Sequence, residues 1–258
     1  MTSSHRALLV VDVQPTFCEG GALAVTGGNA CAERIATYIP THYNCYDMVV
    51  TTQDWHIDPG NHFSNNPDFV DSWPPHGVVG TDEAEIHPAI AKIPVDARVK
   101  KGQYAAAYSG FEGTTEDGSI LETVLRDRGI EAVDIVGLAL PHCVKDTALD
   151  AQRLGFVTTC LTDLSEPVSP EMGNAAVAVM EDAGVTVTTS SQLGASLTNL
   201  RQPSGTHPRP SPSNCPTALL NSPSLENSST CTTGRTNTSV IEVSTPRIVR
   251  SPTPSVTA

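Results

Sequence analysis

The chain lacks any apolar stretch that approaches the roughly 20 residues of a membrane-spanning helix. No signal-type cleavage site follows its first apolar run, so the sequence predicts a cytoplasmic protein. Its seven cysteines include no Cys-x-x-Cys pair, which favours a reducing compartment over a disulfide framework. These absences argue against a membrane protein and against a small secreted domain held together by disulfides.

Positive charge is also scarce. The 258 residues carry a formal net charge of −13. From Ala195 onward five Arg and two Glu give +3, which leaves −16 on the preceding part. A strongly acidic surface repels phosphate backbones, so nucleic acid is not expected as the ligand.

Aromatic residues are absent after Phe156, and nine of the twenty prolines lie between Pro203 and Pro254. A segment with so few bulky apolar groups cannot offset its chain entropy by burial. We therefore expect one folded domain over residues 1–192 and a Ser/Thr/Pro-rich disordered tail over 193–258. The tail is either a regulatory extension or translation beyond a shifted frame, and an interaction or phosphorylation function within it is an alternative.

The part before the tail alternates apolar runs with helix-like stretches. The predicted strands are 7–12, 48–52, 132–137, 156–161 and 185–187. The predicted helices cover about 30–39, a segment capped by Asp117, a segment from about Cys143, and a segment that begins at Ser169-Pro170. The last of these is expected to turn Met172, Ala176, Val179 and Ala183 inward. This alternation predicts a three-layer α/β/α fold with a mostly parallel sheet.

Three chemically capable groups follow predicted strands directly. Asp12 ends the first strand, Asp54 closely follows the second, and Cys143 lies beyond the strand at 132–137. Ligands of parallel α/β sheets bind beyond the carboxyl ends of the strands. The sequence therefore predicts an active site at this edge.

Cys143 is the candidate nucleophile because a helix N-terminus lowers the pKa of a thiol, and amides near Ala139 and Cys143 can hold an oxyanion. Asp12 is the candidate base that deprotonates the thiol and returns the proton to ammonia. Lys101 completes a set suited to amide cleavage without a histidine base. The alternatives are a buried structural cysteine, an Asp12 cap or salt bridge, and a solvated lysine.

A second cluster lies in the long polar segment after the second strand. Asp54 and His56 point the same way in an extended segment, and a Pro59-Gly60 turn can bring His62 back. With His76 they offer one carboxylate and three imidazoles, a suitable ligand set for one divalent Zn, Mn or Fe ion. Such residues also occur together without a metal, which is the alternative.

Together these motifs resemble the nicotinamidase (pyrazinamidase) family of isochorismatase-like cysteine hydrolases over about residues 6–190. The motifs that carry the resemblance are Val11-Asp12-Val13-Gln14, Phe17-Cys18-Glu19-Gly20-Gly21, Asp54-x-His56 with His62 and His76, Lys101-Gly102, residues 107–113 and His142-Cys143-Val144.

The resemblance implies hydrolysis of nicotinamide, and by analogy of pyrazinamide, in NAD salvage. It assigns Asp12, Lys101 and Cys143 to the catalytic triad, Ala139 and Cys143 to the oxyanion hole, and Asp54, His56, His62 and His76 to the metal. It further implies a cis peptide at Leu138–Ala139. Phe17, Trp73 and Tyr108 are expected as aromatic walls, and Leu138 and His142 as further substrate-binding residues. The expected partner is a small aromatic carboxamide, bound by a monomer or small homo-oligomer.

Two features depart from the family pattern. Leu140-Pro141 replaces the Thr-Asp of many bacterial relatives, and the tail is an addition. The rival hypotheses are an amidase of the same superfamily with a different acyl group and a catalytically silent binding protein. The metal set argues against the first, and the intact Asp12, Lys101 and Cys143 argue against the second.

Overall fold

The computed structural model describes residues 5–193. Six strands form one sheet, and the five described pairings between these strands are all parallel, in agreement with the predicted mostly parallel sheet. The strands are β1 Arg6–Val11, β2 Met48–Asp54, β3 Ala97–Lys101, β4 Ala132–Gly137, β5 Val157–Ser165 and β6 Thr186–Thr188. The tail predicted for 193–258 lies, except for Leu193, outside the described residues.

Helices cover both faces of the sheet and confirm the layered architecture. They are α1 Gly28–His42, α2 Pro88–Ala91, α3 Leu121–Asp127, α4 Lys145–Arg153 and α5 Pro170–Asp182. Ile35 of α1 and Ile90 of α2 pack with Leu8 and Val49 on one face. Helices α3, α4 and α5 build the second core on the other face. Between residues 5 and 193 no helix has the length and apolarity to cross a membrane.

Two local predictions are wrong. Asp117 does not cap α3, which begins at Leu121, because its carboxylate accepts hydrogen bonds from Thr115 Oγ1 and the Ser119 amide in the preceding turn.

Helix α5 is rotated relative to the prediction. It buries Gly173, Ala176 and Met180, whereas Met172, Val179 and Ala183 are exposed. Gly173 permits the close packing on the buried side of this helix, since a Cβ there would lie 2.8 Å from Pro167 Cβ.

The sheet order β3-β2-β1-β4-β5-β6 places a topological switch between β1 and β4. Register pairs Val11 with Gly137, so the residues after these two strands meet at one edge. A crevice at such a switch point is where parallel α/β proteins bind ligands. Asp12 and the Leu138–Ala139 peptide, which is cis, both lie there.

Candidate active site

Asp12 is fully buried directly after β1 and has a positive φ of 47°. Thr52 Oγ1 donates a 2.6 Å hydrogen bond to its Oδ1, and its Oδ2 lies 3.0 Å from Lys101 Nζ. Burial raises the pKa of Asp12 above its ordinary value, although Lys101 opposes the shift. A carboxylate with a raised pKa is a better proton acceptor near neutral pH.

Lys101 is the last residue of β3, and its ammonium lies between three reactive groups. It is 1% exposed, and it pairs with both Asp12 and Asp54. Its Nζ also donates to the Ala107 carbonyl at 3.0 Å and to Cys143 Sγ at 3.7 Å. Burial lowers the pKa of Lys101, but the two carboxylates outweigh burial and raise it well above its ordinary value. Lys101 is therefore a fixed cation rather than a solvated side chain.

Cys143 lies in a wide turn of π-helix, Leu140–Val144, that leads into α4. Burial raises the pKa of its thiol well above the usual range, Lys101 opposes this, and Asp12 and Asp54 add to it. The expected lowering of the thiol pKa by a helix N-terminus is therefore wrong, because burial beside two carboxylates dominates. A nucleophile in this position needs a base, and Asp12 is close enough to serve.

The three histidines predicted as ligands converge in the structure. Nitrogen atoms of His56, His62 and His76 all lie within 4.8 Å of one another, and all three side chains are buried. His56 Nε2 and His76 Nε2 each lie 3.7 Å from Asp54 Oδ2. Burial and the neighbouring His76 and His56 lower the pKa of His62 to about 4, which keeps it neutral. Neutral imidazoles beside a carboxylate are the donors that Zn²⁺ and similar ions prefer.

The hydrogen bonds of this cluster fit a metal ion. His56 Nδ1 donates to the Gly102 carbonyl at 2.6 Å and His76 Nδ1 to the Pro74 carbonyl at 2.8 Å, which directs both Nε2 atoms inward. His56 Nε2 and His62 Nδ1 are buried without a hydrogen-bond partner in residues 5–193. Gly102 is required here, since its φ is +72° and a Cβ would lie 2.5 Å from the His56 ring.

Asp12, Asp54 and Cys143 form a second group whose ligand atoms lie within 4.8 Å of one another. The Lys101 ammonium contacts all three, so it already provides a cation there. The histidine cluster with Asp54 is therefore the better candidate for a metal site than this second group.

Gln14 is a positioning residue to which the sequence analysis gave no role. Its fully buried amide donates to the Asp54 carbonyl at 2.9 Å and accepts from the Asp54 amide at 2.9 Å. It also donates to the Ala84 carbonyl at 2.8 Å. Gln14 therefore ties the end of β1 to the end of β2 and fixes Asp54. The available signal was a polar amide two residues after the end of the predicted strand 7–12.

A cavity of about 380 Å³ opens onto the candidate site, where it is lined by Asp54, His62, His76 and Cys143. Of the expected substrate-binding residues, Phe17, Trp73, Tyr108 and His142 line it, together with Ala139 and Cys143. Trp73 Nε1 donates to the Tyr108 hydroxyl at 2.8 Å, and the Trp73 and His142 rings meet edge to face at 5.4 Å. Leu138 is different: its side chain is fully buried in the core and does not line the cavity.

An aspartate, a lysine and a cysteine lie together beside a histidine cluster at the carboxyl edge of a parallel sheet, an arrangement suited to a hydrolase of the α/β class. The model of the isochorismatase domain family matches residues 6–192. The chain belongs to the isochorismatase family.

Relatives within this family are amidohydrolases. The nicotinamidase/pyrazinamidase of Mycobacterium tuberculosis is 50% identical over 186 residues, which cover 72% of this chain and 100% of that protein. A zinc complex of the Pyrococcus horikoshii pyrazinamidase has a TM-score of 0.62 at 34% identity and covers 72% of this chain and 99% of that one. An L. infantum protein in complex with nicotinate has a TM-score of 0.62 at 31% identity, with 74% and 96% covered. The chain is accordingly an enzyme of an amidohydrolase family.

Proposed function

We propose that this enzyme hydrolyses nicotinamide to nicotinate and ammonia, and that it also opens pyrazinamide. The observation that carries the proposal is the Lys101 ammonium, which contacts Asp12, Asp54 and Cys143. Asp54 and Cys143 line a cavity walled by aromatic rings. Flat aromatic walls suit a planar ring, and the cysteine lies where a carboxamide on that ring can reach it.

In the first half of the reaction Asp12 accepts the thiol proton, and Cys143 Sγ forms a bond to the carboxamide carbon. The amides of Ala139 and Cys143 are assigned to hold the resulting oxyanion. The carbon–nitrogen bond then breaks, and Asp12 returns the proton to the departing nitrogen, which leaves as ammonia. Lys101 stabilises the charges on Asp12 and the sulfur as the proton moves.

In the second half Asp12 accepts a proton from water, and the water oxygen attacks the thioester carbon on Cys143. The carbon–sulfur bond breaks, nicotinate is released, and the proton returns to the sulfur. The same carboxylate thus acts as base and acid in both halves, which requires a pKa above the ordinary aspartate value.

Asp54, His56, His62 and His76 would hold one divalent ion, Zn, Fe or Mn. When bound, such an ion supplies a Lewis acid that orients the ring nitrogen of the substrate, directly or through water. Metal dependence, a role in NAD salvage and a cytoplasmic location are parts of the same proposal.

The test is ammonia release from nicotinamide and pyrazinamide by the full-length, metal-loaded chain. Cys143→Ala is compared with Cys160→Ala, which removes a buried thiol from β5 away from the cavity. Benzamide, which lacks the ring nitrogen, is the substrate control. We expect release that is lost in Cys143→Ala, kept in Cys160→Ala and much weaker with benzamide.

Absence of ammonia release by folded, metal-loaded wild type would reject nicotinamide as the substrate. Release that survives in Cys143→Ala would reject the assigned nucleophile. Equal rates with benzamide would reject a role for the ring nitrogen.

A further inference from the structure

The mouth of the cavity has an apolar rim that includes three large exposed side chains. Phe69, Val168 and Met172 line the cavity and are 58%, 49% and 40% exposed. Exposed apolar side chains that converge on one opening favour ligand contact, whereas isolated ones need no explanation. Val179 illustrates the second case, because it is 47% exposed on α5 and does not line the cavity.

Two of the three rim residues lie in a segment that is hydrogen-bonded to the turn Leu140–Val144. Val168 directly precedes Ser169, the residue before α5. The Ser169 side chain accepts a hydrogen bond from the Met172 amide in the first turn of this helix. The Glu166 carbonyl accepts a 2.9 Å hydrogen bond from the Leu140 amide, which joins this segment to the turn that carries Cys143. The backbone that carries these two rim residues is therefore connected to the turn that carries Cys143.

Phe69 is held by a separate hydrogen-bonded loop. Asp68 Oδ1 accepts hydrogen bonds from the amides of Val70, Asp71 and Ser72 at 2.9 to 3.0 Å. Phe69 has a positive φ of 60°, and its ring meets Trp73 edge to face at 6.0 Å. A bulky residue in the left-handed region is uncommon and needs such support. The loop therefore presents Phe69 to the mouth beside the aromatic wall.

The cavity also has room beyond a nicotinamide-sized ligand. Its volume of about 380 Å³ falls within the roughly 300–1,000 Å³ of sites that enclose drug-sized molecules. In the orientation that the proposed function implies, the ring nitrogen of nicotinamide lies towards the histidine cluster and its carboxamide carbon lies at Cys143. Carbon 2 of the ring lies between the ring nitrogen and the carbon that carries the carboxamide, and carbon 5 lies opposite carbon 2. In this orientation carbon 5 faces outward.

We propose that Phe69, Val168 and Met172 form a subsite that binds an apolar substituent on carbon 5 of the aromatic ring. This inference rests on the proposed function for the orientation of the ring. The substrate class is therefore 5-alkylated pyridine carboxamides in addition to the unsubstituted amide. An anionic substituent is disfavoured, since the rim is apolar and Asp71 and Asp146 lie near enough to Tyr108 to influence it.

The test measures binding of nicotinate and 5-propylnicotinate by calorimetry to the metal-loaded, full-length chain, with 5-carboxynicotinate as the anionic probe. Met172→Ala and Val168→Ala are compared with Val179→Ala, a matched exposed apolar residue outside the cavity. We expect the propyl acid to bind wild type more tightly than nicotinate, and each rim variant to reduce this preference about three- to tenfold. Val179→Ala should keep the preference of wild type. Thermal unfolding checks that all variants are folded.

A preference that stays within twofold of wild type in both rim variants would overturn the subsite, as would tighter binding of the dianionic acid than of the propyl acid. Ammonia release from nicotinamide and 5-propylnicotinamide, measured in parallel, separates the two proposals. If nicotinamide is hydrolysed and the propyl amide is not, the subsite is rejected and the proposed function stands. In the other case, wild type prefers the propyl acid, Met172→Ala reduces this preference, and neither amide is hydrolysed. The subsite then stands and the proposed function is rejected.

Discussion

Two carboxylates are fully buried at different places in the same sheet. Asp12 follows β1 at the carboxyl edge, and Asp134 lies inside β4, where register pairs it with Leu8. Each contacts one cation, Lys101 for Asp12 and Arg6 for Asp134. Burial raises the pKa of both above the ordinary value. By burial, charge pairing and pKa direction alone, the two sites are equivalent.

Their neighbours differ. Asp12 lies beside Cys143 and Asp54, which line the cavity. Asp134 is instead surrounded by Arg6, Tyr46 and Thr159, which oppose the rise in its pKa. Tyr46 in turn shares a 2.8 Å hydrogen bond with Tyr38 of α1. A perturbed carboxylate indicates catalysis only where substrate and nucleophile can reach it. We infer that Asp12 serves chemistry and Asp134 serves stability.

Asp12→Asn should have the largest effect. The amide keeps the hydrogen bond with Thr52 but cannot accept the thiol proton, so kcat/KM for nicotinamide should fall about 10³-fold. Steady-state ammonia release measures the loss, with thermal unfolding as the check on folding. Asp134→Asn is the matched control, and its remaining activity per folded molecule should stay near wild type. Equal activity losses in the two variants would remove the distinction between these carboxylates.

Asp134→Asn should instead lower the free energy of unfolding by about 3 kcal/mol, because it leaves the Arg6 guanidinium buried without its counter-charge. Chemical denaturation of both variants measures this difference. A double variant with Arg6→Met should recover part of the loss, since the unpaired charge is removed with its partner. Stability unchanged within about 0.5 kcal/mol would show that the Asp134 pair is energetically neutral.

The fold was predictable from sequence where burial dictates the pattern. Largely apolar runs identified β1, β2 and β4, because strands covered on both faces are apolar at successive positions rather than at alternate ones. The rotation of α5 was not predictable, because a small residue, Gly173, packs inward while Met172 faces the cavity mouth. A prediction from apolarity alone places every large apolar side chain in the core. It therefore cannot identify an apolar side chain that faces a ligand.

The candidate site was predictable to the same extent. Strand ends located Asp12, Asp54 and Cys143, and the structure brings them together with Lys101 and the histidines. The pKa direction of Cys143 was missed because it depends on burial and on carboxylates contributed by two other strands. Gln14 and Asp134 were missed for a related reason. Their partners lie 40 and 128 residues away in the chain, and no local pattern connects them.

His62→Ala tests whether the histidine cluster binds a metal ion, unlike the isolated histidines of the chain. Loss of one imidazole from the cluster should weaken metal affinity at least about tenfold. A loss of about tenfold is the lower end of the range for residues that only hydrogen-bond to a metal ligand. Competition with a chromophoric chelator measures affinity, and elemental analysis of the wild type should give one ion per chain. His5→Ala, an exposed residue at the opposite edge of the sheet, is the control. Unchanged affinity in His62→Ala would exclude His62 as a ligand.

The smallest expected effect concerns an exposed carboxylate, Glu19, which contrasts with the two buried ones. Its oxygens accept hydrogen bonds from the amides of Gly27 and Asn29 at 2.6 and 2.8 Å, at the start of α1. Hydrogen bonds from the backbone of Asn29 and Gly27 lower the pKa of Glu19 below its ordinary value. A carboxylate at a helix N-terminus also interacts favourably with the helix dipole.

A lowered folded-state pKa means that the charged form stabilises the fold above the unfolded pKa, and that this stabilisation is lost as pH falls through the folded value. Glu19→Gln should therefore lower Tm slightly at pH 7, and the gap from wild type should close as the pH is lowered towards 3. Thermal unfolding across this range measures the gap. A gap that is independent of pH would mean that Glu19 acts through its shape rather than its charge, and a gap that widens in acid would contradict the direction of its pKa.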